Sequence, residues 1–217
     1  MLDSSKKMRY ALIVRSKSYG QEESLSLLDR FGQILSNYRI TKVGKLLKNR
    51  GILLDVGSGF NATLTKPIWK HFETIYLLDI DIDRNLALNS EKRIHLVLGE
   101  LPEVLVDLKL KNANLIIANN ILEHLDKPIE LLMELRKCRS IDSIILINVP
   151  SWWGKIFLEL AAFKLGLAPK SEMDDHKCYY DKKSLWTLVR SAGFIPSEIK
   201  IKRTKFGLNV TCWIRSS

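Results

Sequence analysis

Five short apolar runs, each followed by a helical or polar segment, constrain the fold more than any other feature of the chain. Within these runs polar and apolar residues do not alternate, which indicates strands that are buried on both faces. Strands of this kind, separated by helices, are typical of a parallel sheet between two helical layers. We therefore predict a doubly wound α/β domain. The five runs are GILLDV (51–56), TIYLLDI (74–80), RIHLVLG (93–99), ANLIIAN (113–119) and DSIILINV (142–149).

After the fifth run the pattern changes to segments in which polar and apolar residues alternate. The segments 195–202 (IPSEIKIK) and 207–214 (GLNVTCWI) are of this type, which is typical of an antiparallel pair at the edge of a sheet. The segment 184–193 before them predicts a helix that ends at Gly193. The sequence therefore predicts a Rossmann-like, seven-stranded, mostly parallel sheet with an antiparallel edge hairpin.

Three regions follow from this pattern. Residues 1–50 have apolar side chains close to helical spacing, and we expect a helical N-terminal extension that packs on the core. Residues 51–217 form the predicted catalytic domain. Within that domain we expect residues 150–181 to form an inserted lid.

Composition places the chain among soluble globular proteins. It has 217 residues, of which 46% are hydrophobic and 27% charged, enough for one domain with a buried core. The three cysteines form no CxxC pair, so we expect reduced thiols rather than disulfides. The early apolar run YALIV is too short for a signal peptide, and no run approaches the roughly 20 residues needed to span a bilayer. We therefore expect a cytoplasmic protein.

The net charge of +10 is unevenly distributed along the chain. Residues 1–50 carry 11 basic and 4 acidic side chains, residues 51–150 carry 11 and 14, and residues 151–217 carry 12 and 6. Basic flanks favour an anionic partner, such as a phosphorylated substrate, a nucleic acid or a membrane surface. A solvated basic surface without a partner is the alternative.

The turn after the first strand, DVGSGF (55–60), predicts a cofactor site. Ligands of doubly wound folds bind at the carboxyl ends of the strands, and glycines let the backbone approach them closely. Residues 57–62 also satisfy the dinucleotide pattern G-x-G-x-x-G/A, and Asp79 lies where a ribose-binding acid is expected. The turn could hold a dinucleotide or S-adenosylmethionine. Asp55 favours S-adenosylmethionine, because a carboxylate repels the pyrophosphate of a dinucleotide and attracts the ammonium and sulfonium of S-adenosylmethionine.

With these motifs the chain resembles the class I S-adenosylmethionine-dependent methyltransferases. LLDVGSGF (53–60) is similar to the motif that surrounds the methionine end of the cofactor, and LLDID (77–81) to the motif whose acid takes the ribose hydroxyls. LVLGEL (96–101) occupies the place of the family motif that borders the adenine of the cofactor, and Glu100 stands where the family more usually has an aspartate. The resemblance implies these cofactor-binding residues: Asp55, Gly57, Ser58, Gly59, Asp79, Ile80, Gly99, Glu100, Leu101, Asn119, Asn120 and Ile121.

The loop after the fourth strand bears on metal binding. In some relatives that methylate oxygen or RNA, two glutamates and a histidine at i, i+3 and i+4 hold a divalent metal. Here the first position is Asn120, followed by Glu123 and His124. Because one carboxylate of that set is missing, we predict no metal site, and a structural or supporting role for Glu123 and His124. NNIL (119–122) also lacks the two prolines and the aromatic residue that amine-methylating relatives use here.

The acceptor site is predicted after the fifth strand. MDDHKCYYDKKSLWTLVRSAGF (173–194) resembles a segment of small-molecule and sugar methyltransferases that carries a histidine, then an aromatic residue, then a helix ending Ala-Gly-Phe. The resemblance implies His176 as the catalytic base, with Asp175 or Asp174 orienting it. The remaining predicted acceptor contacts are Tyr179, Tyr180 and Trp152. The alternative is that His176 and the tyrosines only hold the lid on the sheet.

We therefore predict methyl transfer to a small-molecule hydroxyl on a sugar, a glycolipid or a secondary metabolite. RNA methylation, favoured by the basic flanks, is the alternative of the same class, although no RNA-binding module is recognisable and nucleic acid is not the expected partner. A nucleotide-cofactor oxidoreductase and a non-catalytic binding protein are the alternatives from other classes. The apolar stretch 152–167 suits an interfacial helix near an anionic or lipid-linked acceptor. The alternatives for this stretch are a lid and a dimer contact. The oligomeric state does not follow from the sequence.

Overall fold

The computed structural model describes residues 34, 36, 38, 40–43, 47, 50–88, 93–154, 156 and 177–216. The described residues form one seven-stranded sheet in the order β3-β2-β1-β4-β5-β7-β6. Its first five members are parallel, and β7 is antiparallel to both of its neighbours. The predicted fold class is thereby confirmed. The strands are β1 (Ile52–Val56), β2 (Thr74–Asp79), β3 (Arg93–Leu98), β4 (Ala113–Asn119), β5 (Arg139–Pro150), β6 (Ile199–Thr204) and β7 (Asn209–Arg215).

The helices lie between the strands, where the sequence pattern predicted them. Between β1 and β2 lies a tight 3-10 helix, Lys66–His71, whose second residue is Pro67. The α-helices are α1 (Asn85–Leu88), α2 (Glu103–Leu108), α3 (Pro128–Cys138) and α4 (Lys182–Ser191). Further 3-10 turns span Leu122–His124, Pro196–Glu198 and Lys205–Gly207.

Helix α4 shows how local chemistry fixes an element of this fold. Asp181 caps its start, with a carboxylate oxygen 2.7 Å from the backbone nitrogen of Ser184, whose hydroxyl in turn lies 2.9 Å from the nitrogen of Asp181. This reciprocal arrangement satisfies donors that the first turn would otherwise leave free. The helix stops before Gly193, whose φ of +90° is in the left-handed region, as predicted for a helix C-terminus.

Two apolar clusters lie on opposite faces of the sheet. One joins the strands to α2, α3 and α4, and includes Leu54, Leu132 and Phe194. The other packs the 3-10 helix Lys66–His71 and the described helical residues 40–43 against the opposite face. Six of the seven residues of β4 are buried, because this central strand contributes to both clusters. That burial is the reason for its uninterrupted apolar run.

Among the described residues, no helix is long and apolar enough to cross a membrane. The described residues also contain no group of three or more histidine, cysteine, aspartate or glutamate side chains placed to hold a metal ion.

Candidate functional site

The glycine turn after β1 folds back onto the end of β2. The backbone nitrogens of Gly57 and Ser58 lie 2.8 and 3.0 Å from the carbonyl oxygen of Leu78. Gly57 has φ +71° and Gly59 has φ +70°, a conformation that disfavours any residue with a Cβ. A Cβ at Gly57 would also lie 3.0 Å from the side chain of Ile121. The turn therefore packs directly on the loop after β4, so two predicted parts of the cofactor site are neighbours.

Asp55 is buried beneath this turn and held in one orientation. Its carboxylate accepts a hydrogen bond of 2.6 Å from the Thr65 hydroxyl, and the indole nitrogen of Trp69 donates to that hydroxyl at 3.2 Å. Burial raises the pKa of Asp55 to about 7, the Thr65 hydrogen bond opposes the rise, and the nearby charge of Asp79 adds to it. A cation beside Asp55 would favour its ionised form.

Asp79 joins the ends of the first two strands. One carboxylate oxygen accepts from the backbone nitrogen of Gly59 and the other from that of Ile80, both at 2.8 Å. The backbone nitrogen of Asp81 lies 3.5 Å from the same oxygen that accepts from Ile80, so the carboxylate is held in one orientation. The half-buried side chain of Asp79 lies at the carboxyl edge of the sheet, beside the exposed side chain of Ile80.

The end of β3 completes this edge. The backbone nitrogen of Gly99 donates to the carbonyl oxygen of Asp79 at 3.1 Å, and the Glu100 carbonyl accepts from the nitrogen of Val104 at 3.0 Å. The Glu100 side chain is exposed, whereas Leu101 packs against the first apolar cluster. The residues predicted to flank the adenine therefore adjoin Asp79.

The loop after β4 is fixed by a polar network that sequence reasoning did not find. Asn120 has φ +52°, and its backbone nitrogen lies 2.8 Å from the Asn148 carbonyl. The Asn148 amide donates to the Asn120 side chain at 2.9 Å and accepts from the Thr211 hydroxyl at 2.9 Å. Thr211 is also 2.8 Å from the Thr204 hydroxyl. The network connects the predicted cofactor loop, which begins at Asn119, to the edge strand β6.

Glu123, which follows Asn120 by three residues, is fully buried. Within the described part of the chain, neither of its carboxylate oxygens has a hydrogen-bond partner. Burial raises the pKa of Glu123 to about 8, so its carboxyl is mostly neutral at pH 7. The backbone nitrogen of Lys177 donates to the Glu123 carbonyl at 2.9 Å. The segment that begins at Lys177 therefore lies along the 3-10 turn that contains Glu123.

The predicted acceptor residues occupy different environments. The rings of Trp152 and Tyr179 lie 5.5 Å apart at a 40° angle, so these two are brought together. Tyr180 is buried in the first apolar cluster, where its hydroxyl lies 3.4 Å from the Leu122 carbonyl and burial raises its pKa. The predicted base, His176, and Asp175 lie outside the described residues.

Thr65 and Trp69, which orient Asp55, and Asn148 and Thr211, which fix the β4 loop, are the site residues that sequence reasoning missed. None belongs to a motif. Only Asn148 is distinguished in the sequence, as a polar residue within the apolar run IILINV (144–149).

Comparison with known proteins identifies the family. The model of a family described as a methyltransferase domain matches residues 28–196, which is most of the chain. No curated protein sequence matches the chain significantly.

Solved structures share the fold at low sequence identity. A SAM-dependent methyltransferase from Archaeoglobus fulgidus is 16% identical with a TM-score of 0.61, covering 85% of this chain and 94% of its own. The magnesium protoporphyrin IX methyltransferase of Synechocystis PCC 6803, solved with bound SAH, is 14% identical with a TM-score of 0.61, covering 90% of each chain. A SAM-dependent methyltransferase from Thermotoga maritima is 13% identical with a TM-score of 0.57, covering 88% and 92%. The chain belongs to the methyltransferase-domain family, and S-adenosylmethionine is its expected cofactor.

Proposed function

We propose that this methyltransferase acts on a hydroxyl of a small molecule, such as a sugar, a glycolipid or another secondary metabolite. The observation that carries the donor half of the proposal is the buried Asp55, held by Thr65 under a glycine turn. An acid in this position suits a cationic ligand and opposes a pyrophosphate. The dinucleotide alternative is disfavoured for that reason.

The residues around the turn fit S-adenosylmethionine. Asp55, Gly57, Ser58 and Gly59 would hold its methionine end, where Gly57 has no room for a Cβ. Asp79 and Ile80 would hold the ribose, and the remaining predicted contacts border the adenine and the sulfonium. When bound, the cofactor supplies a methyl group on a positively charged sulfur. Positioning of the acceptor against that methyl group is then the main contribution of the protein.

The acceptor side is proposed to lie over the ends of β4 and β5. His176 directly precedes Lys177, whose backbone is hydrogen-bonded to the 3-10 turn after the predicted cofactor loop. In this proposal an imidazole nitrogen of His176 takes the proton of the acceptor hydroxyl as that oxygen gains the methyl group. Asp175 orients the imidazole, and the contacting rings of Trp152 and Tyr179 line the acceptor.

Two measurements test the proposal in sequence. Calorimetry with S-adenosylmethionine and with NAD should show binding of the first only; binding of NAD alone would overturn the donor assignment. Incubation of the enzyme and methyl-labelled cofactor with fractionated metabolite and lipid extracts should then label a small molecule. An alkali-stable label would indicate an ether or an amine, whereas label in protein or RNA would contradict the acceptor class.

A variant tests the proposed base. His176→Ala should lose nearly all turnover and keep its affinity for S-adenosylmethionine, because the imidazole acts on the acceptor alone. His71→Ala, at the end of a 3-10 helix on the other side of the sheet, is the matched control and should retain activity. Normal turnover in His176→Ala would remove this residue from the mechanism.

A further inference from the structure

Four large apolar side chains stand exposed at the carboxyl edge of the sheet, and we name them the aromatic rim. Trp152, Trp153, Ile156 and Phe206 are 53%, 62%, 45% and 89% exposed. The first three follow β5, and Phe206 lies in the turn between β6 and β7. Apolar side chains exposed together on a soluble protein commonly mark a surface that binds something.

Hydrogen bonds hold the two segments of the aromatic rim together. The backbone nitrogen of Ser151 lies 2.9 Å from the Leu208 carbonyl, and the Ser151 hydroxyl donates to the Gly207 carbonyl at 2.6 Å. The same hydroxyl accepts from the nitrogen of Gly154 at 3.0 Å. A Cβ at Gly154 would lie only 2.3 Å from the Leu208 carbonyl oxygen. The tryptophan segment and the β6–β7 turn therefore form one contiguous surface.

Phe206 is presented outward by an unusual backbone conformation. Lys205 and Phe206 have φ values of +50° and +57°, which bulky residues seldom adopt. Such conformations persist where the surroundings enforce them, and they concentrate at functional sites. Here the conformation leaves an aromatic ring almost wholly in water. A protruding ring suits insertion into a soft apolar medium better than it suits a preformed protein groove.

The strand next to the aromatic rim is basic. Lys200, Lys202 and Arg203 are exposed on β6, within six residues of Phe206. Residues 199–217 include five basic side chains and no acidic one. A symmetric dimer through this surface would bring like charges together, whereas an anionic bilayer would be attracted to it. Tryptophan rings also favour the boundary between lipid and water.

We propose that the aromatic rim and the basic strand β6 dock this protein on an anionic lipid bilayer. Trp152 belongs to the rim and also contacts Tyr179, so the docked edge is the one at which we place the acceptor. The acceptor is then an amphipathic molecule resident in the membrane. This last step rests on the proposed function, whereas the docking itself does not.

Vesicle sedimentation with the full chain tests the docking. Phosphatidylcholine vesicles containing about one third phosphatidylglycerol should bind the protein at low salt, and pure phosphatidylcholine vesicles should bind it at least about tenfold more weakly. The double variant Trp153→Ala/Phe206→Ala should lose about tenfold or more in vesicle affinity. The matched control is Ile141→Ala, because Ile141 is 84% exposed near the start of β5 at the opposite edge, and it should bind as the parent does.

Charge and fold are tested separately. Lys202→Glu/Arg203→Glu should weaken binding to anionic vesicles, as should high salt. Calorimetry with S-adenosylmethionine checks that each variant is folded, since none of these residues belongs to the proposed cofactor site. If the parent protein binds vesicles but not the cofactor, the docking proposal stands and the proposed function is overturned. If it binds the cofactor but not vesicles, the docking proposal is overturned and the proposed function stands.

Three outcomes overturn the docking proposal. The first is absence of binding to anionic vesicles at low salt. The second is vesicle binding that the rim variants leave unchanged. The third is another occupant, shown either by a dimer that the double variant dissociates or by salt-sensitive RNA binding that the same variant abolishes.

Discussion

Two acids are buried at the carboxyl edge of the sheet, Asp55 at the end of β1 and Glu123 just after β4, and the protein surrounds them differently. Asp55 accepts a hydrogen bond from the Thr65 hydroxyl, and that hydroxyl accepts one from the indole nitrogen of Trp69. Glu123 has no hydrogen-bond partner among the other described residues, and only its own backbone opposes the rise in its pKa. Burial raises both pKa values, to about 7 and about 8.

The difference indicates what each acid is placed to do. A carboxylate held by a hydrogen bond keeps its orientation and can be ionised by an arriving cation. A carboxyl group without partners is stable only in its neutral form, because an isolated buried charge is costly. In the proposed function, Asp55 is therefore an electrostatic group of the donor site, whereas Glu123 is a neutral packing group after β4.

The largest expected effect is on the pH dependence of stability at Glu123. The pKa of Glu123 is about 8 in the folded state, above its ordinary value of 4.5. Between these two pH values the folded state keeps a proton on Glu123 that the unfolded state has lost, so the free energy of unfolding falls as pH rises from about 4.5 to about 8. Glu123→Gln, which mimics the neutral acid, should match the parent near pH 4.5 and exceed its free energy of unfolding by about 4 kcal/mol at pH 9. Urea unfolding at several pH values measures this.

The control for that experiment is Glu130→Gln, because Glu130 is an exposed acid that forms a solvated ion pair with Lys127. It should change the pH dependence little. Parallel stability curves for the parent and Glu123→Gln between pH 5 and 9 would contradict the neutral assignment and indicate that the carboxyl is already ionised when folded.

The second effect is on the cofactor affinity at Asp55. Asp55→Asn should weaken S-adenosylmethionine binding by about 10- to 100-fold, about 1.4 to 2.7 kcal/mol, because it removes a charge-assisted contact. In the parent, affinity should rise with pH up to about 7 and then level off, since binding of a cation releases the proton of Asp55. Calorimetry in buffers of different ionisation enthalpy detects that proton. Equal losses in Asp55→Asn and Glu123→Gln would abolish the distinction between the two acids.

The third effect separates backbone strain from crowding in the glycine turn. Gly57→Ala should cost about 2 to 3 kcal/mol, because it combines a left-handed φ with a Cβ against Ile121. Gly207 also has a left-handed φ, of +92°, but a Cβ there would meet nothing within 4 Å. Gly207→Ala should therefore cost only about 1 kcal/mol. Thermal unfolding of both variants gives the difference, and equal costs would show that Ile121 yields.

The smallest effect compares a buried hydrogen bond with an exposed ion pair. Thr65→Val should cost about 1 to 2 kcal/mol, because it leaves the buried Asp55 without its donor. Lys177 and Asp126 are 2.6 Å apart beside the β4 end, but their side chains are largely solvated. Lys177→Ala should therefore change the free energy of unfolding by less than about 0.5 kcal/mol. A larger loss would reveal a tighter attachment of this segment than the ion pair alone provides.

The sheet could be predicted because its strands are continuous apolar runs. The run ANLIIAN coincides with β4 from Ala113 to Asn119. The predicted start of the edge hairpin was less accurate. Its first strand, β6, begins at Ile199 rather than near residue 195. Pro196 starts a 3-10 turn there, and the alternating pattern does not distinguish that turn from a strand.

Candidate site residues could be named from the sequence only where one local segment carries the signal. The acid and glycines of 55–59 and Asp79 are recognisable because they are close in sequence to the strands that position them. Thr65 reaches Asp55 across ten residues, and Asn148 meets Asn120 across 28. Such contacts depend on how the elements pack, and a single sequence contains no spacing rule for them.

The place of β7 also has a consequence for how the chain folds during synthesis. β7 follows β6 in the chain but lies between β5 and β6, and β6 makes no pairing to any other described strand. When residues 199–204 leave the ribosome they have no neighbour to join, and they must wait until residues 209–215 emerge and occupy the position beside β5. β6 can therefore join the sheet only with β7 or after it, so a chain that breaks off in the turn at 205–208 lacks β7 and leaves β6 without the strand to which it pairs.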